Sequence, residues 1–223
     1  ESGAIDVKKP VVFFLHGLGG DLDAWHFIRD GISKKGFPSL AMDLIGHGYS
    51  DHPRVYYSYK IDKLVEDVVT IMEKEGIKKV ILIGHCYGSI VALNFAIKYP
   101  EKLEKLVVIS GTYRPPVRFF KKTAKVLVGG MVNIGAFISP KPYRPRHSDY
   151  PVGKFHKDFE LIGLTKTIFH NSLRSYLLPL REIFNLDLES FLHKIKAPTL
   201  VIVGEKDSIF PMPISKKIHE NIH

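Results

Sequence analysis

The sequence contains a single cysteine, Cys86, among its 223 residues. One thiol allows neither an intrachain disulfide nor a thiolate metal cluster, which is typical of a protein in a reducing compartment. No apolar run approaches the roughly 18 residues that a membrane-spanning helix needs. We therefore expect a chain without a transmembrane segment, in the cytoplasm or associated with a membrane surface.

Several ligand-binding motifs are also absent. The chain has neither G-x-G-x-x-G nor G-x-x-x-x-G-K-S/T, so no nucleotide cofactor is expected. No histidine pairs with a second histidine, cysteine or carboxylate at metal-ligand spacing, and we predict no metal. The net charge of +9 is compatible with an anionic partner, but no nucleic-acid-binding motif accompanies it, so nucleic acid is not an expected partner.

The apolar residues alternate between two patterns. Val11–Leu15 is continuously apolar, as in a strand covered on both faces, whereas Ile61–Glu75 carries apolar residues at helical spacing. Strands alternating with helices predict an α/β fold with a mostly parallel sheet and helices on both faces. The further segments are strands at Ser39–Leu44, Val80–Ile83, Leu106–Ile109 and Thr199–Val203, and helices at Ser89–Tyr99 and Ile214–Ile222.

Residues 113–185 interrupt this alternation with prolines, aromatics and short apolar patches. We interpret them as a helical cap inserted into a single domain, residues 1–223. The first part of the cap is basic, and two interpretations stay open: a lid with a solvated basic face, or peripheral contact with an anionic membrane. Its basic residues, all before the first acidic residue at Asp149, are Arg114, Arg118, Lys121, Lys122, Lys125, Lys141, Arg144 and Arg146.

The segment Gly84-His85-Cys86-Tyr87-Gly88 lies between a predicted strand and a predicted helix. This is the context of the G-x-S-x-G turn, which presents a nucleophile on a strained backbone. Glycines two positions on either side of Cys86 allow the strand and the helix to approach each other. The backbone N–H of Tyr87 begins the helix, where it would bind a developing oxyanion.

Two further motifs follow the first two strands: His16-Gly17-Leu18-Gly19-Gly20, and Asp43 to Ser50 with the pattern D-x-x-G-x-G-x-S. Together with the turn at Cys86, they resemble the α/β-hydrolase superfamily, which usually carries serine at the nucleophile position. The resemblance implies that the backbone N–H of Leu18 is the second oxyanion donor.

The resemblance also implies an acidic residue after the strand that follows the cap. Asp207 occupies that place, and Glu205 is the lesser candidate; the alternative for Asp207 is a turn or helix-cap aspartate before Pro211. The family's histidine lies one strand further on, and neither His219 nor His223 has that context. We expect that strands at both edges of the family's fold are missing from this chain.

The family implies a hydrolase that cleaves an ester, thioester or lipid acyl bond through an acyl-enzyme. Three interpretations of Cys86 stay open: a natural nucleophile, a decayed site in a binding protein, or an engineered change. The alternatives to a hydrolase are a catalytically impaired ligand- or protein-binding relative and an acyltransferase. A helix N-terminus lowers a thiol pKa, so we expect Cys86 to be activated by its position. The aromatic cap indicates a small-molecule acyl or lipid substrate, and no feature indicates an oligomeric state.

Overall fold

The computed structural model describes residues 9–115 and 171–222. Within them, five strands form one parallel sheet in the order β2-β1-β3-β4-β5, with helices around it, which confirms the α/β class. The strands are β1 (Val11–Leu15), β2 (Ser39–Met42), β3 (Val80–His85), β4 (Leu103–Ile109) and β5 (Thr199–Ile202). The helices are α1 (His26–Lys34), α2 (Ile61–Lys74), α3 (Tyr87–Lys98), α4 (Arg174–Phe184) and α5 (Met212–Asn221), with short 3₁₀ turns at Leu22–Trp25, Tyr56–Tyr59, Pro100–Lys102 and Glu189–Lys194.

The strand order reverses between β1 and β3. The chain runs outward from β1 to β2, then crosses over β1 to place β3 on its other side. In open parallel sheets, ligands bind at the carboxyl ends of the strands where this reversal occurs. Leu15 pairs with Gly84 at that end, so the segments that follow β1 and β3 start side by side.

Helix α3 is the most deeply buried helix of the described residues. It packs on β3, on β4 and on α2. Ile90, Val91, Leu93 and Phe95 are all at most 1% exposed, because α3 is covered on several sides. The turn between β3 and α3 is therefore held between a central strand and a core helix.

The outer strand β5 has a continuous apolar sequence, yet one of its faces is exposed. Val201 packs in one cluster with Ile214 and Ile218 of α5, whereas Leu200 and Ile202 are 56% and 43% exposed. The reason is position: β5 is the last strand of the described sheet, and α5 covers one of its faces. The continuous apolar sequence of β5 does not by itself reveal this.

Most of the predicted cap, residues 116–170, lies outside the described residues, as do seven of its eight basic residues. The cap and the single domain therefore stay predictions.

Helix α4, near the C-terminal end of the predicted cap, contacts the residues around the sheet through Glu182. Glu182 accepts hydrogen bonds from the Tyr56 hydroxyl and, at 3.2 Å, from the backbone N–H of Ile61. Glu182 thus caps the start of α2. No helix within residues 9–115 and 171–222 is long and apolar enough to cross a membrane.

Candidate active site

Cys86 lies in a strained turn between β3 and α3, as its motif predicts. Its backbone φ of 50° and ψ of −112° lie in a region that residues other than glycine rarely adopt. A Cβ on Gly84 would lie 2.4 Å from the carbonyl oxygen of Gly88, and a Cβ on Gly88 would lie 2.4 Å from that of Leu15. Both glycines are therefore required by close backbone approaches.

The glycine turn after β1 lies directly against this elbow. A Cβ on Gly17 would be 2.9 Å from His85 Nδ1 and 3.1 Å from Cys86 Cβ. The backbone N–H groups of Leu18 and Tyr87 both lie close enough to the Cys86 sulfur to lower the pKa of the thiol. The two N–H groups that the sequence nominated as oxyanion donors thus converge on the sulfur atom.

Burial raises the pKa of the Cys86 thiol above its ordinary value. The hydrogen bonds from Leu18 and Tyr87 oppose this rise in pKa, and the negative charge of Asp207 adds to it. The sequence-based expectation that Cys86 is activated by its position is therefore wrong, because desolvation of the thiolate outweighs the lowering of the pKa at the N-terminus of α3. The thiol is protonated at neutral pH.

Asp207 lies half-buried in the loop after β5. Its Oδ1 accepts hydrogen bonds from the backbone N–H groups of Ile209 at 3.0 Å and Phe210 at 2.8 Å, as the alternative interpretation of Asp207 as a turn residue describes. Its charge also raises the pKa of Cys86 and of His85, although desolvation lowers the pKa of His85 overall. Glu205 is exposed in the same loop. Of the two acids, Asp207 is the one that acts on the thiol.

No histidine within the described ranges is hydrogen-bonded to the Cys86 thiol. His85 precedes Cys86 without hydrogen-bonding to it, and His219 is exposed on α5, as its lack of sequence context suggested. His223 lies outside the described residues. The part of the chain that the structure describes also holds no group of three or more side chains arranged to bind a metal ion.

Residues 10–134, more than half of the chain, match the family model of the alpha/beta hydrolase fold. The chain belongs to this family. Over 101 residues it is 38% identical to protein ABHD8 of Homo sapiens, an alignment that covers 45% of this chain and 23% of that protein. It is 28% identical over 228 residues to epoxide hydrolase 3 of Mus musculus, covering 94% of this chain and 60% of the relative. The chain thus spans less than two thirds of the length of each relative, 23% of the first and 60% of the second.

The same fold is found in MGS-M2, an alpha/beta hydrolase enzyme from a Medee basin deep-sea metagenome library. The two structures superpose with a TM-score of 0.72 over 100% of this chain and 81% of that chain, at 23% sequence identity. At this identity the likeness shows the fold.

In this α/β-hydrolase, two buried histidines hold the loops of the site. His16 donates from Nδ1 to the Gly17 carbonyl at 2.8 Å and accepts at Nε2 from the Leu44 N–H at 2.9 Å. His47 accepts at Nε2 from the Gly19 N–H at 3.1 Å, and burial lowers its pKa to about 3. Both rings are neutral, so they support the loops through hydrogen bonds and carry no charge.

Asp43 explains the D-x-x-G-x-G-x-S pattern of this α/β-hydrolase. Its Oδ1 accepts from the Leu22 N–H at 2.8 Å and its Oδ2 from the Tyr49 N–H at 2.9 Å, which links the loops after β1 and β2. A Cβ on Gly48, whose φ is +51°, would lie 2.2 Å from Asp43 Oδ2.

Asn171 is the residue of the site that the sequence did not reveal. It is 1% exposed and hydrogen-bonds to the backbone of both glycine loops. No motif surrounds it, and its partners lie 123 and 152 residues away in the chain. A sequence pattern carries no signal for such a contact.

Proposed function

We propose that this chain is an acyl hydrolase, which cleaves an ester, thioester or lipid acyl bond through a covalent thioester on Cys86. The observation that carries the proposal is the convergence of two backbone N–H groups, of Leu18 and Tyr87, on the sulfur at a strained turn. Paired N–H donors beside a nucleophile stabilise the oxyanion of a tetrahedral intermediate. A binding pocket alone has no need of this arrangement.

In the proposed reaction, Cys86 Sγ attacks the carbonyl carbon of the substrate. The carbonyl oxygen becomes negative and accepts the N–H groups of Leu18 and Tyr87. The leaving alcohol or thiol departs with a proton, and water then hydrolyses the thioester to release the carboxylic acid and restore the thiol. Asp207 is the proposed acidic partner, because its negative charge favours the protonated form of a nearby basic group.

Sulfur chemistry favours an acyl substrate over an epoxide, although one relative is named an epoxide hydrolase. A thiolate that opens an epoxide becomes a thioether, which has no carbonyl for water to attack. A thioester does have that carbonyl. With cysteine at the elbow, an epoxide would therefore inactivate the site, whereas an acyl compound allows turnover.

A ligand-binding relative is the second candidate. It is favoured by the raised pKa of the Cys86 thiol and by the absence of a histidine hydrogen-bonded to it among the described residues. Such a protein would be stabilised by acyl ligands without forming a covalent adduct.

Intact mass spectrometry after incubation with p-nitrophenyl butyrate separates the two candidates. Because Cys86 is the only cysteine, a Cys86→Ala variant removes every thiol and is the matched control. We expect one butyryl adduct on the parent chain, its decay over time, and no adduct on the variant. Saturable thermal stabilisation by butyrate esters without any adduct would support binding and contradict the hydrolase.

A further inference from the structure

The side chain of Asn171 lies between the two glycine loops of the site. Its Nδ2 donates to the carbonyl oxygen of Gly19 at 3.0 Å, and its Oδ1 accepts from the backbone N–H of Gly48 at 3.1 Å. The residue is 1% exposed, so water does not compete for either bond. One buried amide thus fixes the separation of the two loops.

The loop that Asn171 contacts is a tight turn with Leu18 and Gly19 at its centre. The N–H of Gly20 donates to the carbonyl of Gly17 at 2.9 Å, and the φ of Gly19 is +79°. This is the conformation of a type II turn, whose central peptide is reversed in a type I turn. His47 accepts the Gly19 N–H at 3.1 Å and so holds the central peptide in one orientation.

We infer that Asn171 and His47 are positioning residues that orient the Leu18 N–H toward the oxyanion. Asn171 binds the carbonyl oxygen of Gly19, and His47 binds the Gly19 N–H. The inference rests on the proposed function. Leu18 is a central residue of this turn, and its N–H lies beside the sulfur atom. Asn171 is the first described residue after position 170.

The test uses Asn171→Asp. The aspartate keeps the shape and the oxygen that accepts from the Gly48 N–H, but it replaces the donating amide with an oxygen that repels the Gly19 carbonyl. Asn185→Asp makes the same chemical change at an exposed asparagine, whose side chain donates to the Arg181 carbonyl at 2.9 Å. His47→Phe is a second variant, which removes the acceptor for the Gly19 N–H and keeps a ring.

Two reactions of the same thiol separate positioning from structural damage. Acylation by p-nitrophenyl acetate passes through an oxyanion, whereas alkylation by iodoacetamide displaces iodide at a saturated carbon and forms none. We expect Asn171→Asp and His47→Phe to slow acylation of Cys86 by about tenfold or more, and to leave alkylation within about twofold. Asn185→Asp should change neither rate.

Equal slowing of both reactions, or of neither, in Asn171→Asp would overturn the inference. A parent chain that is acylated as fast as Asn171→Asp would leave the proposed function standing and refute the positioning role alone. A parent chain that is alkylated at Cys86 but never acylated would refute the proposed function, and the positioning role with it.

Discussion

Replacing Gly88 with alanine tests the close contact between the elbow and β1. The added Cβ would lie 2.4 Å from the Leu15 carbonyl oxygen and 2.6 Å from that of His16, and both are backbone atoms that move only if β1 moves. Overpacking of this kind costs about 3 kcal/mol, at the upper end of its range. Alanine regains about 1 kcal/mol in helix propensity, since Gly88 is in α3. The net loss in the free energy of unfolding is about 2 kcal/mol, or about 4–8 °C in the melting temperature.

Gly31→Ala is the matched control, because Gly31 is in α1 and its Cβ would meet nothing within 4 Å. This variant should gain about 0.5–1 kcal/mol from helix propensity. Urea denaturation followed by circular dichroism measures both changes. A Gly88→Ala protein as stable as the parent chain would mean that the backbone around Leu15 has room for a Cβ at position 88. Steric exclusion would then not explain why this position is glycine.

Three further results are expected. The free energy of unfolding should fall as pH rises from about 8 to 9, because the folded chain raises the pKa of the Cys86 thiol and the unfolded chain ionises first. Cys86→Ala should weaken this dependence, and Tyr56 and Tyr59, whose pKa burial raises to about 12, account for a further fall at higher pH. A stability that rises over this range would contradict the prediction. Asp207→Asn should shift the pH profile of Cys86 alkylation to lower pH, since the Asp207 charge raises that pKa, whereas Glu205→Gln, at an exposed position of the same loop, should leave the profile unchanged. We also propose that the basic segment before Asp149 binds anionic membranes, so sedimentation with phosphatidylserine vesicles should exceed that with neutral vesicles and weaken in high salt; equal binding to both would refute it.

The parts of the fold that the sequence predicted are those set by local sterics. The spacing of Gly84 and Gly88 around Cys86 reflects a turn that only glycines allow, and the structure contains this turn. The start of β4 was less visible, because the sequence predicts Leu106 and the strand begins at Leu103, three residues earlier, through Glu104 and Lys105. Polar residues at a strand end interrupt the apolar run without ending the strand.

The parts that the sequence missed depend on the whole chain. The thiol pKa is raised because the elbow is buried among distant elements, and that burial outweighs the local helix N-terminus. Asn171 reaches Gly19 across 152 residues, and its role follows from a fold that brings both to one end of the sheet. Neither effect has a signature within a window of neighbouring residues.

The burial that raises the Cys86 pKa has opposite effects on the two charges of an acylation. A free thiolate is disfavoured in the buried site, so the resting state keeps its proton. An oxyanion that accepts the Leu18 and Tyr87 N–H groups gains from the same low dielectric, because its hydrogen bonds are strengthened there. In the proposed acylation, the sulfur proton therefore passes to the departing alcohol or thiol, and no separate free thiolate forms. In the proposed reaction the Leu18 and Tyr87 N–H groups lie beside the sulfur atom, and no histidine of the described residues is hydrogen-bonded to the thiol to carry its proton.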